Sequence, residues 1–581
     1  MNKKKNKVFS WKIGGSAGGG QQVAGLIFTK ACVRGGLFAF DSSEYPSRIR
    51  GGLVTYRVTI SEDPVASIYK ETNLLIALTK EAFDYCIGDV TTDGAVLYDS
   101  DNFNIPENEL KNKNVYPLPL AAMAKEAGVL PIASNMIIIG VCTALLDYDL
   151  SILEEVIVDV FESKGKEVIE MNKQAIKFGH DYARKNLKLK DFPYGIRVKG
   201  KNKNSIIATS NDTLSLGAVA AGCNFVSSYP MTPASSVLHN LAAWAKRAGI
   251  IVKHPEDEIS AIHMAIGASY AGARAMTATS GGGFALMTEG LTLAAITETP
   301  IVIVESQRPG PATGVPTWTE QGDLSYVCHA GHGDFLRIVL APGDAEESFY
   351  LTAQAFNLAE VYQVPVFILL DKYISEGHQS IVDPDISKID IDRGRLLTQN
   401  DLNNIKDYKR YELAKNGVSP RAIPGQIGGV HLANSDEHDE KGFTIEGFTP
   451  EIRNQQVEKR MAKLDDILKN LPRPQLFGPE KAKVTLIGWG SVKGPVLEAL
   501  KYLENVNYLH ICAPYPLSEE EIRQATSGVE KLISIENNAT GQFASILQEQ
   551  TGISVDDKLL KYNAAQFFPE EIVEAVNKLI D

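Results

Sequence analysis

A segment framed by prolines, SSYPMTPAS at residues 227–235, is the first candidate for a binding site. Pro230 and Pro233 each restrict one backbone dihedral and bias the preceding residue toward extended conformations. They would hold the Thr232 hydroxyl on a rigid loop at the end of a predicted strand, which is where open parallel sheets bind their ligands. Taken alone, the segment is better explained as a structural turn.

A run of acids at Glu256, Asp257 and Glu258 precedes a helix rich in alanine and glycine. Acidic side chains at a helix N-terminus are stabilised by the helix dipole, which is the simpler interpretation. The small residues of this helix form a smooth face that permits close approach of another helix or a cofactor: Ala261, Ala265, Ala268 and Gly272. A carboxylate beside such an apolar face is also a candidate functional group.

Arg308 lies in a loop stiffened by proline and glycine, ESQRPGPATGVPTWTEQGD at residues 305–323, after a predicted strand that ends at Glu305. The guanidinium is a rigid fork of donors that matches a carboxylate bidentately. The loop therefore predicts a carboxylate-binding site. The alternative is a surface arginine in an ordinary salt bridge, which contributes little to stability.

Glycines between a predicted strand and helix, IGGSAGGGQQ at residues 13–22, indicate a second kind of site. Backbone N–H groups in such a turn can approach phosphate, and Asp41 ends the next strand at the distance of a ribose-binding acid. The spacing departs from GxGxxG, so a structural turn is an equally good interpretation. These features leave a nicotinamide-dependent dehydrogenase as one alternative function.

No metal centre is predicted for this chain. Its six cysteines are scattered and form no CxxC pair, whereas iron–sulfur and zinc sites need grouped thiolates. Cys328, His329 and His332 have a permissive spacing, but no fourth ligand is near them in the sequence, and a structural role is the better interpretation.

The composition is that of an ordinary globular protein. The 581 residues are 44% hydrophobic and 22% charged, with a net charge of −13. This excludes a disordered or fibrous chain, and the acidic balance argues against nucleic acid and anionic membranes as partners. The basic N-terminus lacks the apolar segment of a signal peptide. The uncharged stretch 127–146 is expected to form a buried strand, centred on 136–141, and a helix rather than a membrane span. Free thiols in such a chain suit the cytoplasm.

Alternating strand and helix patterns predict the elements that position the candidate residues. Short apolar runs that end at glycine or at polar loops are typical of parallel sheets covered on both faces. We expect an α/β fold with three parallel-sheet domains in series. Their expected bounds are 10–195, 205–376 and 481–581, with a basic linker, KGKNKN, at 199–204 and an irregular connector with a helix at 377–480. That helix should begin at Pro450, end before Pro472 and bury one stripe: Val457, Met461, Leu464, Leu468 and Leu471.

Together and in this order, the motifs resemble one family, the 2-oxoacid:ferredoxin oxidoreductases, which depend on thiamine diphosphate. The resemblance covers nearly the whole chain. Residues 11–190 resemble the Rossmann-like gamma domain, with GGSAGGGQQVAG and YPSRIRGG (45–52). The next part resembles the thiamine pyrimidine-binding domain, with YPMTP (229–233), the acidic block and QRPGPATG (307–314). Residues 483–581 resemble a transketolase C-terminal-like domain, with ENNATGQ (536–542).

The order of a gamma part before an alpha part is similar to alpha subunits of 2-oxoglutarate:ferredoxin oxidoreductases. Three segments share this similarity: RPGPATGVPTWTEQGDL (308–324), YKRYELAKNGVSPRAIPG (408–425) and EHDEKG (437–442). The resemblance therefore implies 2-oxoglutarate as the substrate. Pyruvate, branched-chain and aryl 2-oxoacids remain alternatives, because the side-chain pocket is not readable from the sequence.

The resemblance implies a role for each matching residue. Glu258 would be catalytic and would hydrogen-bond N1′ of the aminopyrimidine. Tyr229 and Pro230 would contact the cofactor. Thr232 and Arg308 would bind the substrate, with Arg308 holding its 1-carboxylate.

The resemblance also implies partners. The family anchors Mg²⁺ and diphosphate with a GDG motif, which this sequence lacks. A beta subunit would therefore carry that site and a [4Fe–4S] centre, in an (αβ)2 assembly that reduces ferredoxin and transfers the acyl group to coenzyme A. A non-catalytic scaffold subunit is the other alternative.

Overall fold

The computed structural model describes residues 8–47, 51–106, 114–196, 205–445 and 449–580. The expected linker at 199–204 and part of the segment 45–52 lie outside these residues. The chain divides into two compact units. The first unit holds the described residues up to Ala208 together with Glu376–Asp383 and Phe568–Glu574, and the second holds Thr209–Ser375, Pro384–Phe567 and the described residues from Ala575 onward.

Strands and helices alternate along much of the described chain. The strands are β1 (Val8–Ser16), β2 (Phe38–Glu44), β3 (Leu53–Ser61), β4 (Thr72–Ala77), β5 (Val90–Asp99), β6 (Asn114–Leu118), β7 (Ser205–Ala208), β8 (Phe225–Ser227), β9 (Ile251–Lys253), β10 (Ala275–Thr279), β11 (Ile301–Gln307), β12 (Ile338–Leu340), β13 (Pro365–Asp371), β14 (Gln379–Val382), β15 (Gln475–Phe477), β16 (Val484–Trp489), β17 (Val506–Ile511), β18 (Lys531–Glu536) and β19 (Asp557–Leu560). The helices are α1 (Gln21–Arg34), α2 (Lys80–Cys86), α3 (Leu120–Ala127), α4 (Ser134–Leu145), α5 (Leu150–Phe161), α6 (Lys166–Asn186), α7 (Ser210–Ala220), α8 (Ser235–Ala248), α9 (Glu258–Tyr270), α10 (Gly281–Ile296), α11 (Leu324–His329), α12 (Ala345–Tyr362), α13 (Lys372–Glu376), α14 (Gln399–Asn403), α15 (Pro450–Met461), α16 (Leu464–Asn470), α17 (Lys493–Leu500), α18 (Glu519–Ala525), α19 (Gln542–Thr551) and α20 (Pro569–Ile580).

The sheet of the first unit is mixed rather than parallel. Within the described residues its eight strands have the order β6-β5-β4-β1-β3-β2-β14-β7. β1 pairs parallel with β4, but β3 pairs antiparallel with both β1 and β2. The expectation of a parallel sheet does not hold for this unit, because the segment between β2 and β3 is too short for a helical crossover and only reverses the chain.

Two short strands near the predicted domain boundaries, β7 and β14, join the sheet of the first unit. β14 pairs antiparallel with both β2 and β7, so β14 and β7 form the end of the first sheet. Residues predicted to begin the second domain, and residues predicted to follow it, therefore complete the first sheet. A strand of four residues carries too little periodicity to indicate its sheet, so tertiary pairing decides its place.

The segment 136–141 is helical and does not form the predicted strand. It lies inside α4, which is buried along its whole length after its first residue. Gly140 of α4 and Gly179 of α6 let the two helices touch: a Cβ on Gly140 would overlap the Ile176 carbonyl, and one on Gly179 would overlap that of Ile137. A short apolar run does not distinguish a buried strand from a buried helix, so this close packing decides it.

Among the described residues, no single helix is both long and apolar enough to cross a membrane. The neighbouring segments Leu120–Ala127 and Pro131–Leu145 reach that length and composition only as a pair, and they bend by 111° at the break between them.

Two sheets form the second unit. The first, in the order β12-β13-β11-β10-β8-β9, is parallel throughout. The second, in the order β15-β17-β16-β18-β19, is parallel except for its edge strand β15. The predicted α/β architecture is confirmed for both parts. One continuous apolar core, which includes Phe284, Trp489 and Phe543, joins the two sheets into a single unit.

Two buried ion clusters hold the connector between these sheets. Glu298 pairs with Lys459, and its other oxygen lies 2.7 Å from Lys463 Nζ; all three side chains are almost fully buried. Glu360 likewise pairs with Arg393 and lies 3.0 Å from Arg421 Nη2. The irregular connector is thus anchored by buried charges.

The predicted connector helix is two helices, α15 and α16, and the buried residues of α15 are polar. Gln456, Lys459 and Lys463 are buried, whereas the predicted stripe is only half-buried: Val457, Met461, Leu464, Leu468 and Leu471. Burial lowers the pKa of Lys459 to about 8, and the nearby Glu298 charge opposes this shift. The prediction is wrong because a tertiary counter-charge, invisible to local periodicity, brings the lysines inside.

Replacing Glu298 with glutamine is expected to lower the free energy of unfolding by about 3–5 kcal/mol, because it leaves two buried lysines without a counter-charge. The midpoint of thermal unfolding, followed by circular dichroism, should fall by several degrees. Asp159→Asn is the matched control, since it breaks the exposed pair with Arg34 and should cost less than about 1 kcal/mol. Equal midpoints for the two variants would contradict the role of the buried cluster.

Candidate active site

The YPMTP segment forms the loop between β8 and α8, at the carboxyl end of the parallel sheet. The Asn211 side chain donates a hydrogen bond to the Pro233 carbonyl oxygen at 2.8 Å and anchors this loop. Tyr229, Pro230 and Thr232 are partly exposed. The loop is therefore rigidly held, while the three predicted site residues stay accessible to a ligand.

Arg308 follows β11, which ends at Gln307, two residues later than predicted. Its Nη1 donates a hydrogen bond to the Thr232 carbonyl oxygen at 2.8 Å. The structure thus brings together two residues that lie far apart in the sequence. No carboxylate among the described residues forms an ion pair with Arg308, so its remaining donors can bind an anionic ligand.

Glu258 is the first residue of α9, and Asp257 and Glu256, which precede it, both bind Ser260. The Asp257 side chain accepts a hydrogen bond from the Ser260 N–H at 2.7 Å, and Glu256 accepts one from the Ser260 hydroxyl at 2.8 Å. Glu258 makes no such contact. It is 4% exposed, and within the described residues its Oε1 has no hydrogen-bond partner.

Three glycines open α10 beside Glu258. A Cβ on Gly283 would lie 2.8 Å from both Cγ and Oε1 of Glu258, which is closer than real Cβ contacts. Glycine is therefore required here for the carboxylate to reach its position. The sequence alone did not predict this role for the glycines, although the run TSGGG after a predicted strand indicates close backbone approach.

All of these groups lie at one edge of the six-stranded sheet. The neighbouring strands β9, β8, β10 and β11 are followed by Glu258, Thr232, the α10 glycines and Arg308, respectively. Because carboxyl ends of parallel strands meet at the same edge, the residues converge. A buried carboxylate oxygen without a protein donor fits a protonated ring nitrogen of an aminopyrimidine. The residues present are thus consistent with holding that part of thiamine diphosphate.

The ENNATGQ segment clamps the loop that carries Arg308. Gln321, at the end of this loop, is fully buried. Its N–H donates to the Asn537 carbonyl oxygen at 2.7 Å, and its side-chain amide donates to the Trp489 carbonyl oxygen at 2.9 Å. Asn538 and Gln542 donate to the backbone oxygens of the same loop at 3.1 and 2.6 Å. This motif therefore holds the loop in place, a role that the sequence analysis missed.

The glycine turn of the first unit lacks the acid that a dinucleotide site needs. Asp41 is buried, accepts hydrogen bonds from the His378 N–H at 2.8 Å and from the Tyr56 hydroxyl, and pairs with the His378 ring. It is thus engaged within the first unit and is not available to a ribose. This removes the basis of the nicotinamide alternative.

Cys328, His329 and His332 do not form a metal site. Within the described part of the chain, no group of three histidine, cysteine or acidic residues is arranged to hold an ion. His329 bonds the Ser325 carbonyl oxygen at 2.8 Å, and Cys328 is buried. The structural interpretation of these residues is consistent with their positions.

Comparison with known proteins identifies the family. A domain family described as pyruvate flavodoxin/ferredoxin oxidoreductase, thiamine diphosphate-binding, matches residues 216–458, and one described as pyruvate ferredoxin/flavodoxin oxidoreductase matches residues 10–182. Subunit alpha of 2-oxoacid:ferredoxin oxidoreductase 2 from Aeropyrum pernix is 32% identical over 98% of this chain and 97% of its own length. The chain belongs to the 2-oxoacid:ferredoxin oxidoreductase family. It is a subunit of an oxidoreductase that depends on thiamine diphosphate.

Two further similarities extend this family assignment. The 2-oxoglutarate synthase subunit KorA of Methanothermobacter thermautotrophicus is 34% identical and aligns with 64% of this chain and 97% of its own length. The solved structure of 2-oxoglutarate:ferredoxin oxidoreductase from Magnetococcus marinus, with 2-oxoglutarate, coenzyme A and succinyl-CoA bound, has a TM-score of 0.93 and 32% identity. It covers 99% of this chain and 100% of its own length.

Proposed function

We propose that this chain is the alpha subunit of a coenzyme A-dependent oxidoreductase that converts 2-oxoglutarate to succinyl-CoA and CO2 and reduces ferredoxin. This proposal rests mainly on one observation: the buried Glu258 carboxylate, whose Oε1 has no hydrogen-bond partner among the described residues, and the Arg308–Thr232 pair lie at the same edge of the sheet. Relatives named as 2-oxoglutarate enzymes, in the curated proteins and among solved structures, support this substrate. Pyruvate and the branched-chain and aryl 2-oxoacids are the alternatives that the assay must separate.

The proposed mechanism assigns one task to each residue. Thiamine diphosphate, when bound, would supply the carbon nucleophile for the 2-oxo carbon. Glu258 hydrogen-bonds N1′ of the aminopyrimidine and exchanges a proton there. Tyr229 and Pro230 would contact the cofactor.

Two residues bind the substrate end that reacts. Arg308 places two parallel N–H donors on the 1-carboxylate, which fixes the plane of the 2-oxoacid. The Thr232 hydroxyl donates a hydrogen bond to the same carboxylate. The hydrogen bonds from the ENNATGQ segment hold the Arg308 loop in this position before the substrate binds. Little conformational entropy of the loop is therefore lost on binding.

We propose that a beta subunit completes the site. The sequence contains no GDG motif, and Mg²⁺ with diphosphate needs oxygen ligands of that kind. The described residues provide no cysteine cluster either, since each of the six cysteines is buried on its own. In this proposal the beta subunit holds Mg²⁺, the diphosphate and a [4Fe–4S] centre, and two αβ pairs form the enzyme.

The domain roles follow the same proposal. Residues 10–195 would be the gamma domain, 205–376 the pyrimidine-binding domain and 481–581 the transketolase C-terminal-like domain, joined by the connector 377–480. The unpaired cysteines suit a reducing compartment, so we place the enzyme in the cytoplasm.

Purified alone, the chain is expected to oxidise no 2-oxoacid and to lack the broad visible absorbance of an iron–sulfur cluster. Co-expressed with its partner chain, it should reduce a viologen dye with 2-oxoglutarate and coenzyme A faster than with pyruvate. The same assay without coenzyme A is the control. Activity of the isolated chain would contradict the need for a beta subunit, and equal rates with pyruvate would contradict the substrate assignment.

A further inference from the structure

The Glu305 carboxyl is buried without a conventional donor. It lies near the end of β11, is fully buried, and within the described residues neither of its oxygens receives a hydrogen bond from an amide, amine or hydroxyl group. An ionised carboxylate in that state is costly, so a bound proton is the simplest way to stabilise it. Burial accordingly raises the pKa of Glu305 well above its ordinary value.

Asp323 is the group that meets Glu305. The Asp323 backbone is bonded to Gln307, and Gln307 and Glu305 lie two residues apart on β11 and so share one face of the strand, which places the two carboxyls within interaction range. Two carboxyls can share a hydrogen bond only when one of them carries a proton. Asp323 is held in place by its neighbours, since its N–H donates to Gln307 Oε1 at 3.0 Å and its carboxylate fills the space where a Cβ of Gly281 would lie. Burial raises the pKa of Asp323 to about 6.

The carboxyl pair, Glu305 and Asp323, lies among the site residues. Arg308 follows Glu305 by three positions, and its charge opposes the effect of burial on the pKa of both carboxyls. Gly281 and Gly283 occupy the same turn of α10, so Asp323 and Glu258 both contact it. Three other titratable groups act on the pair or respond to it: Asp371, the last residue of β13, Glu320 of the Arg308 loop and Tyr326 of α11.

Building on the proposed function, we propose that Glu305 and Asp323 are positioning residues for Arg308 that share one proton in the free enzyme and take up a second when a 2-oxoacid binds. The incoming 1-carboxylate brings a negative charge to the Arg308 guanidinium. The carboxyl pair then gains one proton from solvent and becomes neutral, and no bond of the substrate changes. This exchange avoids two anions beside one partly buried guanidinium.

Two substitutions at Glu305 test the shared proton in the assembled enzyme. Glu305→Ala removes the donor to Asp323 and should raise the KM for the 2-oxoacid by about tenfold or more, the effect of a lost hydrogen bond to a charged group. Glu305→Gln should recover most of this loss, because an amide donates as a protonated carboxyl does. The KM for coenzyme A should not change in either variant. If Glu305→Gln is as damaging as Glu258→Gln, Glu305 works as an ionised group and the proposal fails.

The pH profile tests the second proton. In the wild type, kcat/KM for the 2-oxoacid should fall by about tenfold per pH unit above the Asp323 pKa of about 6, since binding then requires proton uptake. The kcat/KM for coenzyme A should not fall over the same pH range. Asp323→Asn makes the pair permanently neutral and should flatten the profile.

The outcomes separate this proposal from the proposed function. A profile that Asp323→Asn leaves unchanged overturns the carboxyl pair while the wild type still oxidises 2-oxoacids. A wild-type assembly that oxidises no 2-oxoacid overturns the proposed function itself. If Asp323→Asn fails to assemble, the comparison of Glu305→Ala with Glu305→Gln still decides the case.

Discussion

Glu258→Gln is expected to fold and assemble like the wild type and to lose about 10²–10⁴-fold in turnover, the usual contribution of a positioned acid–base group. Glutamine has the same size as glutamate, so the contact with Gly283 is kept. An amide cannot exchange a proton with N1′, however, so the step that depends on this exchange is lost. The measurement is single-turnover oxidation of 2-oxoglutarate by the assembled enzyme, with cofactor binding followed separately.

Glu256→Gln is the matched control, two residues away in the same acidic run. Glu256 is exposed and accepts a hydrogen bond from the Ser260 hydroxyl at 2.8 Å. The side-chain oxygen of glutamine can accept the same hydrogen bond. The variant's loss of turnover should be small by comparison. If Glu256→Gln proves as damaging as Glu258→Gln, the assignment of Glu258 to the cofactor is wrong.

Arg308→Lys is expected to lower kcat/KM at least tenfold for all 2-oxoacids, because lysine keeps the charge but loses the fork that binds a carboxylate bidentately. Since the 1-carboxylate is common to all 2-oxoacids, the loss should be similar for 2-oxoglutarate, pyruvate and longer substrates. Steady-state kinetics across these substrates is the measurement. Thiamine diphosphate affinity should hardly change, because the diphosphate anchor is assigned to the beta subunit.

Thr232→Val tests the second donor at nearly equal volume. A hydrogen bond to a charged substrate is worth about 1.5–3 kcal/mol, so kcat/KM for the 2-oxoacid should fall by roughly 10- to 100-fold in steady-state kinetics. One outcome would contradict the role of Arg308 at the reacting end: an Arg308→Lys enzyme that spares pyruvate but loses 2-oxoglutarate. Arg308 would then bind the distal carboxylate.

Local sequence predicted most of the elements and the identity of the candidate residues. Short-range rules for turns, helix caps and strand ends predicted the places of three groups: the prolines at 230 and 233, the acids before α9 and the arginine after β11. Those rules act over a few residues, so one sequence is enough to apply them. The parallel character of the six-stranded sheet followed in the same way from its short apolar strands.

Local patterns failed where a distant partner sets the environment. The lysines at 459 and 463 have the pattern of a solvent-facing helix, yet Glu298 draws them inside. The run 136–141 is β-branched, yet packing of Gly140 against α6 makes it helical. In both cases the free energy comes from tertiary contacts that outweigh intrinsic propensity.

For this protein, the sequence by itself determined which residues are available for chemistry: Thr232, Glu258 and Arg308, each at the end of a predicted strand or the start of a predicted helix. Only the tertiary structure decided that Arg308 bonds the Thr232 backbone, that Gly283 admits Glu258, and that Glu305 meets Asp323. The physical reason is the parallel sheet, whose strand order places segments distant in the chain side by side at one edge. Burial at that edge removes water from Glu305 and Asp323 and so raises the pKa of both carboxyls.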